Sequence, residues 1–205
     1  MDARAILWQG SKKYTGRMRL WFTTSAWSFW EHERRAAYPV ISFDLGGPAM
    51  PITLRPVEPS DIPLMAAIRA REWGTETFWT GRIGLYLSGK HSPQQALPAR
   101  AAFVALEETE LVGFVAGHRT RRLGCDGELQ WINVVEERRG QGIANRLMVK
   151  MGAWFVEQDA HRVCVNVDPK NTVARRLYSR CHAQPLNDYW MIWEDSRAMC
   201  TPVEA

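Results

Sequence analysis

Residues 131–144, WINVVEERRGQGIA, constrain this chain more than any other stretch. A β-branched run that reads as a strand ends at Val135, and a charged turn follows. Glycines then stand at 140 and 142, and an amphipathic helix begins near Gln141. That helix reads on to about residue 158, with Ile143, Leu147, Met148, Met151, Trp154 and Phe155 recurring at the helical period. The free N–H groups of a helix start make an anion site, which the helix dipole strengthens. Gly140 and Gly142 allow a tight turn and the approach of a phosphate with no Cβ in its way, and Arg138 and Arg139 add attraction. Gly-x-Gly alone also describes an ordinary helix entry. A Walker A loop is excluded, because Gly142-Ile143-Ala144 lacks the Lys-Ser/Thr ending. The dinucleotide fingerprint fits poorly. Asp168 does end the next strand, but Asn145 replaces the third glycine and four charged residues separate strand from turn.

The remaining elements frame this segment. Ile52–Pro56 reads as a short strand stopped by proline, and Ser60-Asp61 as the cap of a helix carrying Ile62, Met65, Ala66 and Ile68 on one face. A second helix is expected over 77–87 and a loop over 90–98. Residues 101–106 and 111–117 read as a hairpin, and 128–135 as the next strand. Beyond the glycine-led helix, 162–167 reads as a strand, 171–181 as a helix, 189–193 as a closing strand and 196–205 as a polar tail. This order points to α+β or α/β with a mixed sheet.

The chain has 205 residues, 46% of them hydrophobic and 23% charged, which excludes a disordered or fibrous protein. No run is long and apolar enough for a membrane helix. The net charge of +4 is uneven. Residues 1–49 hold seven basic side chains (Arg4, Lys12, Lys13, Arg17, Arg19, Arg34, Arg35) and four acidic ones (Asp2, Glu31, Glu33, Asp44), a net +3. The rest is nearly neutral at +1, which argues against nucleic acid as the partner of the folded part. Residues 1–49 also carry Trp8, Trp21, Trp27 and Trp30 with no sustained period, and end in a Gly-Gly-Pro loop before Met50. We expect Met50 to be the true start, with 1–49 an upstream reading or poorly ordered extension; a basic aromatic docking arm is the competing reading. Cys125, Cys164, Cys181 and Cys200 form no CxxC pair and no metal-ligand spacing, so reduced thiols and a cytoplasmic protein are expected.

Two separated motifs resemble the GNAT superfamily of acyl-CoA-dependent N-acetyltransferases. The first is Arg139-Gly140-Gln141-Gly142-Ile143-Ala144 after the strand ending in Val134-Val135. The second is the strand 163–167, then Asn171-x-x-Ala174 and Leu177-Tyr178. The likeness runs over residues 51 to 195, with departures at Glu136, where the family usually has proline, and at His182-Ala183-Gln184, where a Gly-Phe pair is common. It implies a mixed, mostly antiparallel sheet with about four helices, and an N-acetyltransferase domain over 50–195.

It further implies acetyl-CoA as co-substrate and no metal. The pyrophosphate would lie on the amides of Arg139, Gly140, Gln141, Gly142, Ile143 and Ala144, and the pantetheine arm along the backbone of Val134 and Val135. Asn171 would bond the pantetheine or the adjoining backbone, and Tyr178 would protonate the departing thiolate; a tyrosine on that apolar stripe can equally be packing. Glu128 is the candidate base for the acceptor amine, because an even separation from Val134 places both on one face of a regular strand. It can equally be a solvated residue, with water chains serving instead. His118 is a reserve base that the sequence places at an exposed strand end.

The acceptor would meet the region from Arg69 to Leu97, which carries Glu72, Glu76, Trp73, Phe78, Trp79 and Tyr86. Packing is the expected role for most of these rings, and nothing there separates a small-molecule amine from a peptide. The resemblance also allows a homodimer. Two other functions stay open: a non-catalytic acyl-CoA-binding regulatory module, and a nucleic-acid binder using 1–49 with Arg119-Arg121-Arg122 and Arg175-Arg176-Arg180.

Overall fold

Residues 51–200 are described by the computed structural model, so the expectations for 1–49 and Met50 lie outside the described residues. β1 (Ile52–Pro56) ends at a proline, which has no N–H to continue a ladder. A 3-10 turn (Pro59–Asp61) leads into α1 (Ile62–Ala70) and α2 (Glu76–Leu87). Asp61 does not cap α1 with its side chain as expected. Its carboxylate instead takes two hydrogen bonds from Arg55, at 2.7 and 2.9 Å, and one from the Glu58 amide. The guanidinium fork is the stronger partner. Thr75 does cap α2, accepting from the Phe78 amide at 3.2 Å.

β2 (Ala96–Glu107) and β3 (Glu110–Thr120) form the expected hairpin, longer than the sequence suggests. β2 can begin at Ala96 because Pro98 lies in the irregular stretch between Ala96 and Arg100, which β1 does not reach. β4 (Gly127–Val134), α3 (Ile143–Glu157), β5 (Val163–Asn166) and α4 (Thr172–Arg180) follow. β6 (Gln184–Pro185), too short to show a period, precedes β7 (Trp190–Trp193).

Among the described residues, seven strands lie in the order β1-β2-β3-β4-β5-β7-β6, and every neighbouring pair is antiparallel except β4 with β5. With four helices around this mixed sheet, the architecture is the α+β one that the sequence implied. α3 covers one face. Its Ile143, Leu147, Met148, Met151 and Phe155 are all buried, and the sheet admits Phe155 because glycines lie beneath it. A Cβ on Gly127 would stand 2.5 Å from the Phe155 ring, and one on Gly117 2.9 Å from it. α1 and α2 cover the other face, where Trp79 and Tyr86 pack edge-on and tilted against Trp131.

Two irregularities of β4 shape the site. Ala116 pairs with Trp131 but Gly117 pairs with Leu129, so Gln130 is an extra, bulged residue. β4 also pairs with β5 only over Gly127, Glu128 and Leu129, after which the two strands part while β5 stays with β7. The result is a fork with the last five residues of β4 as one open edge. Residues 196–199 are not a free polar tail: they form a turn against α3, with Met199 and Ser196 buried.

Candidate active site

The fork opens toward the start of α3. Gly142 is the residue before the helix, with φ +78°, and Gly140 has φ +80°; both lie in the left-handed region that favours glycine. A Cβ at either would meet no atom within 4 Å, so this side of the turn is open. The first backbone bond of α3 runs from Arg146 to Gly142. The six amides from Gly140 to Asn145 donate to no protein group among the described residues. The sequence reading puts a pyrophosphate on the amides of residues 139–144; of this cradle, the Arg139 amide is spent on the Glu136 carbonyl at 3.2 Å. The arginines of the cradle are placed differently from expectation. Arg138 is tied to Glu107 at 2.6 Å, and Arg139 folds back to donate to the Val134 carbonyl at 3.1 Å, with Glu72 3.4 Å away.

Beside the cradle, only some backbone groups of β4 face the fork. The Val135 amide donates to Val112 on β3 at 2.9 Å, so it is not available to a ligand, contrary to the sequence reading. Peptide direction alternates along a strand, which turns Val134 and Ile132 to the open edge instead. The sequence reading does not name Ile132, although the strand alternation around Val134 puts its peptide groups on the same edge.

Glu128 and Val134 do not share a face. The bulge at Gln130 reverses the phase of β4, so Glu128 lies on the side of α1 and α2 while Val134 lies under α3. Glu128 is buried just below the fork, where Arg122 donates to its Oε2 at 3.0 Å. His118 is fully buried rather than exposed. Its Nε2 stands 3.6 Å from Glu128 Oε2 and its Nδ1 3.1 Å from the Tyr86 hydroxyl. The structure thus brings together Tyr86, His118, Glu128 and Arg122, a polar row that the sequence left scattered.

Tyr178 comes from α4 and is buried, its ring edge-on to Trp193 at 5.8 Å. Burial pushes its phenol well above the ordinary tyrosine range, although the charge of Arg69 pulls the other way. It therefore keeps its proton at neutral pH, as a proton donor must. Asn171 is exposed, and its side-chain oxygen caps α4 by accepting from the Ala174 amide at 3.0 Å, which is the adjoining-backbone alternative of the sequence reading. Trp79 and Tyr86 are buried and pack as expected, whereas Trp73 and Phe78 are half exposed. The arginines weighed for nucleic acid are partly spent inside the fold: Arg119 bonds the Gln158 carbonyl, Arg122 bonds Glu128, and Arg175 bonds the Asp188 carbonyl.

A forked strand pair running up to an acceptorless helix start defines a fold suited to an extended amide chain that ends in a diphosphate. The sequence model of the acetyltransferase (GNAT) family matches residues 65–183. This is more than half of the chain, which therefore belongs to that family. One curated relative, the L-2,4-diaminobutyric acid acetyltransferase of Methylotuvimicrobium alcaliphilum, is 30% identical over 92 residues, 45% of this chain. The match spans 50% of that relative, about half its length. Among solved structures, the spermidine/spermine N-acetyltransferase SpeG of Vibrio cholerae superposes with a TM-score of 0.54 at 20% identity, over 72% of this chain and 96% of that one. The GNAT family N-acetyltransferase YhbS of Escherichia coli, solved with CoA, gives 0.55 at 21% identity, over 75% of this chain and 87% of that one. These likenesses show the fold. No described helix is long and apolar enough to cross a membrane.

Proposed function

We propose that this protein transfers the acetyl group of acetyl-CoA to a primary amine of a small molecule, by direct attack in a ternary complex. The observation that carries the reading is the run of six amides from Gly140 to Asn145 with no protein acceptor, at a helix start beside the open edge of β4. Those amides bind the pyrophosphate, and the peptide groups of Ile132 and Val134 pair with the pantetheine arm. Arg139 releases the Val134 carbonyl as that arm enters. The thioester then lies in the fork, between Tyr178 and Glu128.

The amine nitrogen bonds to the thioester carbon, and the carbon–sulfur bond breaks. The sulfur leaves as a thiolate, which takes the phenolic proton of Tyr178. Glu128 accepts the proton lost by the amine through a water molecule, while Arg122 holds its carboxylate. The relative that acts on diaminobutyric acid favours a small acceptor. Cys125, Cys164 and Cys181 are buried free thiols, in keeping with a cytoplasmic location.

The test is acetyl-CoA turnover over a broad amine panel, following both thiol release and the mass of the product. The reading predicts N-acetylated product with at least one small amine. Saturable acetyl-CoA binding with no product across the panel would favour a non-catalytic acyl-CoA-binding module instead.

A further inference from the structure

Arg69, in the last turn of α1, is an arginine short of a counter-ion. Its Nη1 donates to Asn133 Oδ1 at 3.0 Å, and its guanidinium carbon lies 4.2 Å from the Trp79 ring centroid and 5.9 Å from that of Trp131. Its Nε is buried and has no partner. A guanidinium has five N–H donors, and here a single one is spent, on a neutral amide. Glu72, the carboxylate whose charge reaches it, is itself 3.4 Å from Arg139. Burial lowers the affinity of Arg69 for its proton, and the charge of Glu72 offsets this only in part.

Its place in the fold says where an anion would come from. Asn133 lies between Ile132 and Val134, whose peptide groups face the fork, and the Arg69 charge is felt by the Tyr178 phenol. Arg69 therefore stands on the α1 and α2 side of the fork, opposite α3. The diphosphate is held at the start of α3, so it does not supply the missing charge. The Trp79 indole packs against the guanidinium, whose flat fork of donors matches the two-oxygen shape of a carboxylate.

We propose that Arg69 anchors a carboxylate of the acceptor, so that the substrate is an amino acid with a reactive amine rather than a simple polyamine. This inference rests on the transferase reading above and narrows its substrate class. Unlike Tyr178 and Glu128, Arg69 moves no proton: it sets which amine reaches the thioester.

Matched acceptor pairs that differ only by the carboxylate test it: L-2,4-diaminobutyrate against 1,3-diaminopropane, ornithine against putrescine, and lysine against cadaverine. With the intact chain, kcat/KM for the best pair should favour the amino acid by about 10- to 100-fold, the usual worth of a charge-assisted hydrogen bond. Arg69→Gln should collapse that ratio toward one, chiefly through KM, and Arg69→Lys should restore part of it. Equal or better use of the decarboxylated partners by the intact chain overturns the proposal without any variant. A ratio that survives in Arg69→Gln, with both rates lowered together, overturns it too, since it assigns Arg69 to the fold or to the thioester oxygen. If no amine is acetylated, the transferase reading fails and the inference falls with it. If amines are acetylated without regard to the carboxylate, the inference alone fails.

Discussion

His118 and Glu128 are cross-strand partners on β3 and β4, with Nε2 of the histidine 3.6 Å from Oε2 of the glutamate. The Tyr86 hydroxyl behind His118 and the half-buried Arg122 beyond Glu128 complete a row that ends just below the fork. Arg122 is the member of this row that hydrogen-bonds the carboxylate, at 3.0 Å, and the proposed role of Glu128 is removal of the proton from an incoming ammonium.

Glu128→Gln should therefore lower kcat/KM by about 100-fold near neutral pH, the lower end of what a general base contributes. The deficit should shrink as pH rises, because more of the amine then arrives already neutral. A variant-to-parent ratio that stays flat from pH 7 to 10 would remove Glu128 from the proton path.

Tyr178→Phe keeps the ring against Trp193 and removes only the hydroxyl. Turnover should fall by about 10- to 100-fold, with acetyl-CoA affinity held within about 2-fold. Unchanged turnover would leave Tyr178 a packing residue.

The same phenol, with that of Tyr86, makes stability sensitive to alkali. Burial raises both above their ordinary value of 10.0, so the folded chain keeps two protons that the unfolded chain releases. Their contribution is fully present below about pH 10 and is lost as pH rises further. The slope is about 1.4 kcal/mol per pH unit for each tyrosine. Denaturant titrations between pH 9 and 11 should show Tyr86→Phe and Tyr178→Phe each removing about one proton from that dependence. Identical slopes in the parent and the double variant would refute the assignment.

Gly127→Ala should destabilise the fold by about 1–3 kcal/mol, the usual cost of overpacking, because the new methyl would meet the Phe155 ring. Shortening that ring in the double variant Gly127→Ala, Phe155→Leu should recover part of the loss. No loss in Gly127→Ala would show that α3 is free to move off the sheet.

Much of this was legible in the sequence where burial imposes a period. The α3 stripe is the clearest instance, since Ile143, Leu147, Met148, Met151 and Phe155 had to meet one surface. The turn at Gly140 and Gly142 was legible for another reason: the left-handed conformations found there favour glycine. The bulge at Gln130 was hidden, because neither glycine nor proline marks it, and it undid the even-spacing argument that joined Glu128 to Val134. Asn171 was legible as a helix start, and its side-chain oxygen does cap α4. Arg69 gave no local signal at all; its significance lies in contacts with Asn133 and Trp131, more than sixty residues further along the chain.

The most direct test of the account is a thermal titration of the full chain with acetyl-CoA, beside Gly142→Glu, each protein referred to its own ligand-free Tm. At a hundred times the dissociation constant the ligand contributes ~2.7 kcal/mol, a rise of roughly 5–10 °C for a domain of this size. The account predicts a saturable rise in the parent and its loss in the variant, where a carboxylate would lie at the acceptorless amides. A folded parent with no rise, or a variant that responds like the parent, would contradict it.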